Sequence, residues 1–328
     1  MPGAVAVLIV LGALYVPGMV RRSAARRAYE RANELAAEGR ADEALAELDR
    51  ALDADPARAE AWLLKGRILR ERGELEEAID ALERAQAHGA GAEAARDLAA
   101  ALAETGDLEP ALRAYRLAAE QAPDSVDAWY GQGVVLLDLG RQRAALRAFG
   151  RAARLDPDHA GAWRGKMRAL AGLGRDAETV EAAGELIRLE PRSAEAWSRK
   201  GIALAGLGKY GEALAALDRA TRLGPGRARA WQALASLNLE MGRDLPALAA
   251  ANEAIKLDET DGFAWYCKAA ALARAGRAED ALSALRRAVT LERAYARKAR
   301  AASRRDGHFA PLRDDPDFRD LTGLVGVE

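Results

Sequence analysis

Much of what would mark a reactive protein is scarce in this chain. Its one cysteine, Cys267, cannot close an internal disulfide, so no oxidised framework holds the fold. Aromatic residues make up 5% of the sequence while hydrophobic residues make up 50%. The core must therefore be built mostly from alanine and leucine, by close approach of backbones rather than by large rings. Lys and Arg number 49 against 50 Asp and Glu, a formal net charge of −1, so the overall balance lacks the basic excess of a nucleic-acid-binding domain. No stretch shows a strand pattern, and no glycine-rich phosphate loop follows one. The histidines, His88, His159 and His308, lie far apart. None has a second Cys or His at metal-ligand spacing, and none is placed in sequence to activate Cys267, which reads as a small packing residue. The many carboxylates read as solvated helix faces. These absences point away from an enzyme and imply no catalytic, cofactor-binding or metal site.

What is abundant is glycine in register. Gly39, Gly73, Gly106, Gly140, Gly174, Gly208, Gly242 and Gly276 succeed one another at 34 residues, with a single step of 33 from Gly73 to Gly106. All six tryptophans, Trp62, Trp129, Trp163, Trp197, Trp231 and Trp265, stand eleven residues before a ladder glycine. A period in this range signals stacked repeats, each too small to bury its own apolar face. The stretch Ala194–Arg227 explains the unit. Trp197, Gly201 and Leu204 recur at helical spacing on a front helix. Gly208 can take positive φ and turn the chain. Ala213, Leu217, Ala220 and Leu223 then form the stripe of a back helix, which Pro225 stops. Small residues at Gly201, Ala213 and Ala220 let the helices approach. Pro56, Pro123, Pro157, Pro191 and Pro225 fall between units, and Pro110 and Pro246 fall in the first turn of a back helix, where a missing N–H costs little.

These residues resemble the tetratricopeptide repeat family in period, in the order Trp–Gly–Gly–Ala–Leu–Ala–Pro, and in the small residues at the helix crossing. The resemblance covers roughly 25–295 and implies an all-α, right-handed solenoid of eight helix-turn-helix units, beginning at 25, 59, 92, 126, 160, 194, 228 and 262. Ala28 and Ala95 replace the tryptophan in the first and third units. In the fifth, Met167, Thr179 and Leu186 stand where neighbours carry small residues and Ala183 where they carry large ones, an exchange that can conserve volume. The expected organisation is an N-terminal segment 1–22, the repeats 23–295 and a capping helix and tail 296–328. In that tail Arg297, Lys298, Arg300, Arg304 and Arg305 read as a solvated closing helix, and Phe309, Leu312, Phe318 and Leu321 are expected to cover the last back helix.

Residues 2–20 carry no charge. Nineteen helical residues would span about 28 Å, close to the ~30 Å bilayer core. Arg21, Arg22, Arg26 and Arg27 follow, which by the positive-inside rule would place the repeats on the cytoplasmic side of a single-pass anchor. The alternatives are a cleaved signal segment, with an exported or periplasmic product, and an apolar helix packed on the first unit; Pro17 and Gly18 weaken the end of the run.

The resemblance implies a scaffold whose front helices line a groove for a peptide or helical segment of a protein partner. Carried over residue by residue, the groove is Leu63, Arg67 and Arg70; Tyr130, Val134 and Leu137; Arg164 and Arg168; Ser198 and Ile202; Gln232 and Ser236; Tyr266 and Ala270. Members of each set lie one helical turn apart and point the same way. Apolar residues beside arginines suit a partner with hydrophobic and acidic side chains. The carboxylate clamp of the family's chaperone-binding members is not expected, because Tyr29 and Asn33 occupy its first places. A self-assembling module and an accessory subunit of an enzyme complex are the other function classes.

Overall fold

A computed structural model describes residues 3–304 and 307–323, with side chains from Val20 onward. The described residues are all-helical apart from turns, and divide into two compact units, Met1–Gly165 and Lys166–Glu328. The first holds α1 (Gly3–Ala37), α2 (Ala41–Ala54), α3 (Ala59–Glu71), α4 (Leu75–Ala87), α5 (Gly91–Glu104), α6 (Leu108–Gln121), α7 (Val126–Asp138) and α8 (Gln142–Leu155). The unit boundary falls inside α9 (Ala160–Gly172). The second unit continues with α10 (Asp176–Leu189), α11 (Ala194–Gly206), α12 (Tyr210–Leu223), α13 (Ala228–Glu240), α14 (Asp244–Leu257), α15 (Gly262–Arg274), α16 (Ala278–Leu291), α17 (Ala294–Ala301), a 3-10 turn (Ala310–Leu312) and α18 (Pro316–Thr322).

Odd-numbered helices through α15 are front helices and the even ones that follow them are back helices. The eight ladder glycines all have φ between 67° and 88°, the left-handed conformation that ends a helix without a Cβ penalty. At Gly208 the hydrogen bonds show the motif. Gly208 N–H reaches Ala205 O at 2.9 Å and Lys209 N–H reaches back to Leu204 O at 2.9 Å. The helices must then cross closely. A Cβ on Gly201 would lie 2.6 Å from Leu217 Cγ, and one on Gly133 would lie 2.7 Å from the Phe149 ring. Glycine is therefore required where the back helix sets a large side chain on the front one.

Within each unit, consecutive helices pack in chain order, and successive front helices also touch: α1 with α3, α3 with α5, α5 with α7, and α11 with α13, α13 with α15. Back helices do not approach one another in this way among the described residues. Front helices thus meet one another directly, while clefts open between back helices. The tryptophans are half-buried, packed against the core clusters, and each does a second job. The indole N–H of Trp62, Trp129, Trp163, Trp197 and Trp231 donates to the carbonyl of Pro56, Pro123, Pro157, Pro191 and Pro225, at 2.8 to 3.0 Å. Trp265 makes the same bond to Glu259 O at 3.0 Å. Each bond pins the turn between repeats and is worth about 1 kcal/mol.

In the fifth layer Met167, Thr179, Ala183 and Leu186 are all buried, as expected of an exchange that keeps volume. After α16, Phe309 and Phe318 are fully buried and their rings lie 5.8 Å apart. The tail rests on both helices of the last pair, the 3-10 turn on α15 and α18 on α16, so it covers more than the back helix alone. Arg305 of the basic stretch lies outside the described residues. At the other end, α1 runs as one helix from Gly3 past Pro17 into the first front helix, so the apolar run has no separate helix of its own. The side chains of residues 2–19, on which the anchor expectation rests, lie outside the described residues. Among the described residues no helix is long and apolar enough to cross a membrane.

Candidate functional site

The front-helix face is where sequence reasoning puts the site, and the two units furnish it differently. In the first, Leu63 is buried. Arg67 donates from Nε to Asp97 at 2.5 Å and from Nη2 to Glu93 at 2.7 Å. Asp97 is 4% exposed and also accepts from Arg96, at 3.0 and 2.9 Å, while Arg96 reaches Asp127 at 3.4 Å. The geometry follows from the repeat: the ninth residue of one repeat faces the second and sixth of the next. Burial would push the Arg67 guanidinium down, but its bonds to Asp97 and Glu93 outweigh that and raise it. Arg70 lies 3.8 Å from Glu104. Tyr130 packs against His159 and Phe149, at ring distances of 4.8 and 6.0 Å. His159 Nδ1 accepts the Ala162 N–H at 2.9 Å, so this histidine caps a helix. Val134 is exposed and Leu137 half-buried. Arg164 is half-buried at the end of this unit.

In the second unit Arg168 clasps Glu195 through Nε and Nη2, at 2.7 and 3.1 Å. Ser198 and Ala270 are buried. Ile202 instead borders a pocket of about 250 Å³ whose walls include Ala205, Ala233, Leu237 and Phe263, with Arg229, Gln232, Ser236 and Glu240 around it. The Gln232 amide donates to Asp261, which caps α15 by accepting Phe263 and Ala264 N–H at 3.0 and 3.2 Å. Burial, and then the charge of Arg229, lowers the pKa of Arg199. Tyr266 does not line the pocket but stacks on its Phe263 at a ring-centre distance of 6.4 Å, and lies 5.5 Å from both Tyr295 and Phe309, inside the aromatic cluster that closes the chain. Burial pushes the Tyr266, Tyr295 and Cys267 groups up to about 12. Cys267 is thus a protonated packing residue at neutral pH and a poor nucleophile. His308 meets Arg274 at 3.5 Å, and burial lowers its pKa. Among the described residues no cluster of three His, Cys, Asp or Glu could hold a metal ion.

The structure therefore joins Ile202, Gln232 and Ser236 in one pocket. It ties Arg67 and Arg168 to carboxylates of the following repeat and gives Tyr266 to the cap. Sequence reasoning missed Glu93, Asp97, Glu195, Asp261 and Phe263. A signal existed for the acids: Glu93 and Glu195 are each the second residue of a unit, 26 and 27 residues after Arg67 and Arg168.

A model of the tetratricopeptide repeat matches residues 29–95, 96–142, 172–228 and 198–262, and a second such model matches 126–159. No curated protein matches the chain. Among solved structures, a tetratricopeptide repeat protein from Parabacteroides merdae is 18% identical and covers 75% of this chain and 98% of its own, with a TM-score of 0.51. The pilF protein of Pseudomonas aeruginosa is 19% identical, covering 62% and 93%, with a TM-score of 0.51. YrrB, described as a TPR protein with an unusual peptide-binding site, is 23% identical, covering 53% and 90%, with a TM-score of 0.50. At these identities the likeness is one of fold.

Proposed function

Because the chain belongs to the tetratricopeptide repeat family, we propose that it is a protein-interaction scaffold whose second unit holds a segment of a partner at the Ile202–Phe263 pocket. The observation that carries this reading is the pocket itself. Its apolar walls face outward beside Arg229, Gln232, Ser236 and Glu240, whereas the arginines at equivalent places elsewhere on this face are committed to neighbouring repeats. An apolar side chain flanked by polar or acidic ones fits it, as one anchor surrounded by orienting contacts. The peptide-binding site ascribed to YrrB, a protein of like fold, supports the reading. Ile202→Glu with Phe263→Ala is expected to cut capture of native-host partners at least ~10-fold, as loss of a buried anchor does, with helicity by circular dichroism retained. Arg164→Glu with Arg168→Glu is expected to weaken capture less. An identical set of captured proteins from wild type and the Ile202/Phe263 variant, identified by mass spectrometry, would discard this site.

We further propose that residues 2–20 hold the scaffold at a membrane with the repeats on the cytoplasmic side. The uncharged run and the arginines behind it support this. The full chain is expected in the membrane fraction, and a chain starting at Ser23 in the supernatant. If both stay in the supernatant, a self-assembling or exported module becomes the better reading, and a defined oligomer by light scattering would identify it.

A further inference from the structure

Four residues before each turn glycine a front helix carries a core leucine, as Leu136, Leu204 and Leu272 do. In the seventh repeat that residue is Asn238. It is 2% exposed. Its Nδ2 donates to Leu234 O at 2.8 Å, but its Oδ1 is buried without a hydrogen-bond partner. A buried acceptor left unpaired is destabilising and calls for a reason.

Asn238 lines a cleft of about 900 Å³ between α12 and α14. The cleft lies on the back-helix side and shares no lining residue with the Ile202 pocket, although α12 and α13 border both: they give Leu217, Gln232 and Ser236 to the pocket but Leu214, Asp218, Leu234 and Asn238 to the cleft. Leu214, Leu234, Pro246 and Ala249 supply apolar walls. Leu245, next to Pro246, is 74% exposed, where the corresponding residues of several other repeats are charged, as Asp42, Glu76 and Glu109 are. The charges around the cleft are Arg243, Lys256 and Lys268 against Asp218 and Glu253, and Glu253 is held by Lys256 at 2.6 Å. This excess of cations disfavours an ammonium or guanidinium donor beside them.

We propose that the cleft between α12 and α14 is a second docking site, for an apolar segment of a partner protein whose neutral hydroxyl or amide side chain donates to Asn238 Oδ1. The site is separate from the front-helix pocket and does not depend on it. To test it, a displayed library of random dodecapeptides is selected on the full chain, and the winners are measured by fluorescence polarisation. The expected winners carry Ser, Thr, Tyr, Asn or Gln between apolar residues. Their affinity falls about tenfold or more with Asn238→Leu, which restores the repeat's usual residue and is expected to raise the melting temperature. It falls likewise with Ala249→Arg, which fills the cleft from an exposed position, and is unchanged by Ile202→Glu. Winners indifferent to both cleft variants, or sensitive only to Ile202→Glu, overturn the proposal. So does a crystal structure of the winning complex with an ordered water alone on Asn238 Oδ1.

Discussion

The front faces of the two units are built from the same repeat and carry different chemistry. In the first, Arg67, Arg96, Asp97, Glu93 and Asp127 bind one another across adjacent helices, so the charges that could receive a ligand serve the stack. In the second, Arg168 and Glu195 repeat that arrangement once, and then the face turns apolar at Ile202, Ala233 and Phe263 before an aromatic cluster closes it. Identical backbone geometry thus makes a self-satisfied surface in one place and a receptive one in another. The choice lies in what stands at the second, sixth and ninth residues of each repeat.

The strongest way to break the contrast is at the closing cluster. Phe309→Ala removes a fully buried ring and is expected to cost about 3–5 kcal/mol. Hydrogen exchange should then quicken at amides of the second unit while those of α3 to α7 keep their protection. Equal loss in both units would show that the cluster does not belong to the second alone. Next in size is Asp97→Asn, which leaves Arg67 and Arg96 facing a neutral amide. A fully buried pair would lose 3–5 kcal/mol, but the Arg67 side chain is 34% exposed, so about 2 kcal/mol is expected in urea unfolding. A change below about 0.5 kcal/mol, the scale of a surface pair, would reduce the arrangement to ordinary solvated charges. The mildest test is alkaline pH. Cys267, Tyr266 and Tyr295 titrate near 12 when folded against ordinary values of 9.0 and 10.0. The folded state holds these protons more tightly, so stability is full below pH 9.0 and declines as pH rises through 12. Among the described residues of the first unit one such group, Tyr115, is raised by burial. Exchange in the second unit should therefore accelerate first above pH 9.0, and Cys267 should resist alkylation until it does.

Much of this fold is legible in sequence because its determinants are local. Gly208 ends a helix wherever it stands, and Pro225 stops one, so period and turn chemistry locate α11 and α12 without coordinates. The exchange of Met167 and Leu186 against Ala183 was readable for the same reason, since aligned repeats share one packing environment. The site was less legible because its members meet between repeats. Arg67 looks like a solvent-facing residue along its own helix, and only the stacking register brings Asp97 under it. Tyr266 shares its place in the repeat with Tyr130, yet the closing tail claims it, and nothing inside the repeat announces that. The tryptophans show an intermediate case. Their spacing marked a helix face, while the proline six residues ahead of five of them was visible but has meaning only once the indole is seen to reach the carbonyl.

That bond carries an evolutionary corollary. Its acceptor is main chain, which no point substitution can delete, and Glu259 already serves where the other turns use proline. Linkers between repeats are therefore free to diverge in residue type while the joint keeps its shape, provided the indole survives. Drift can remodel the surface of each joint without loosening the stack.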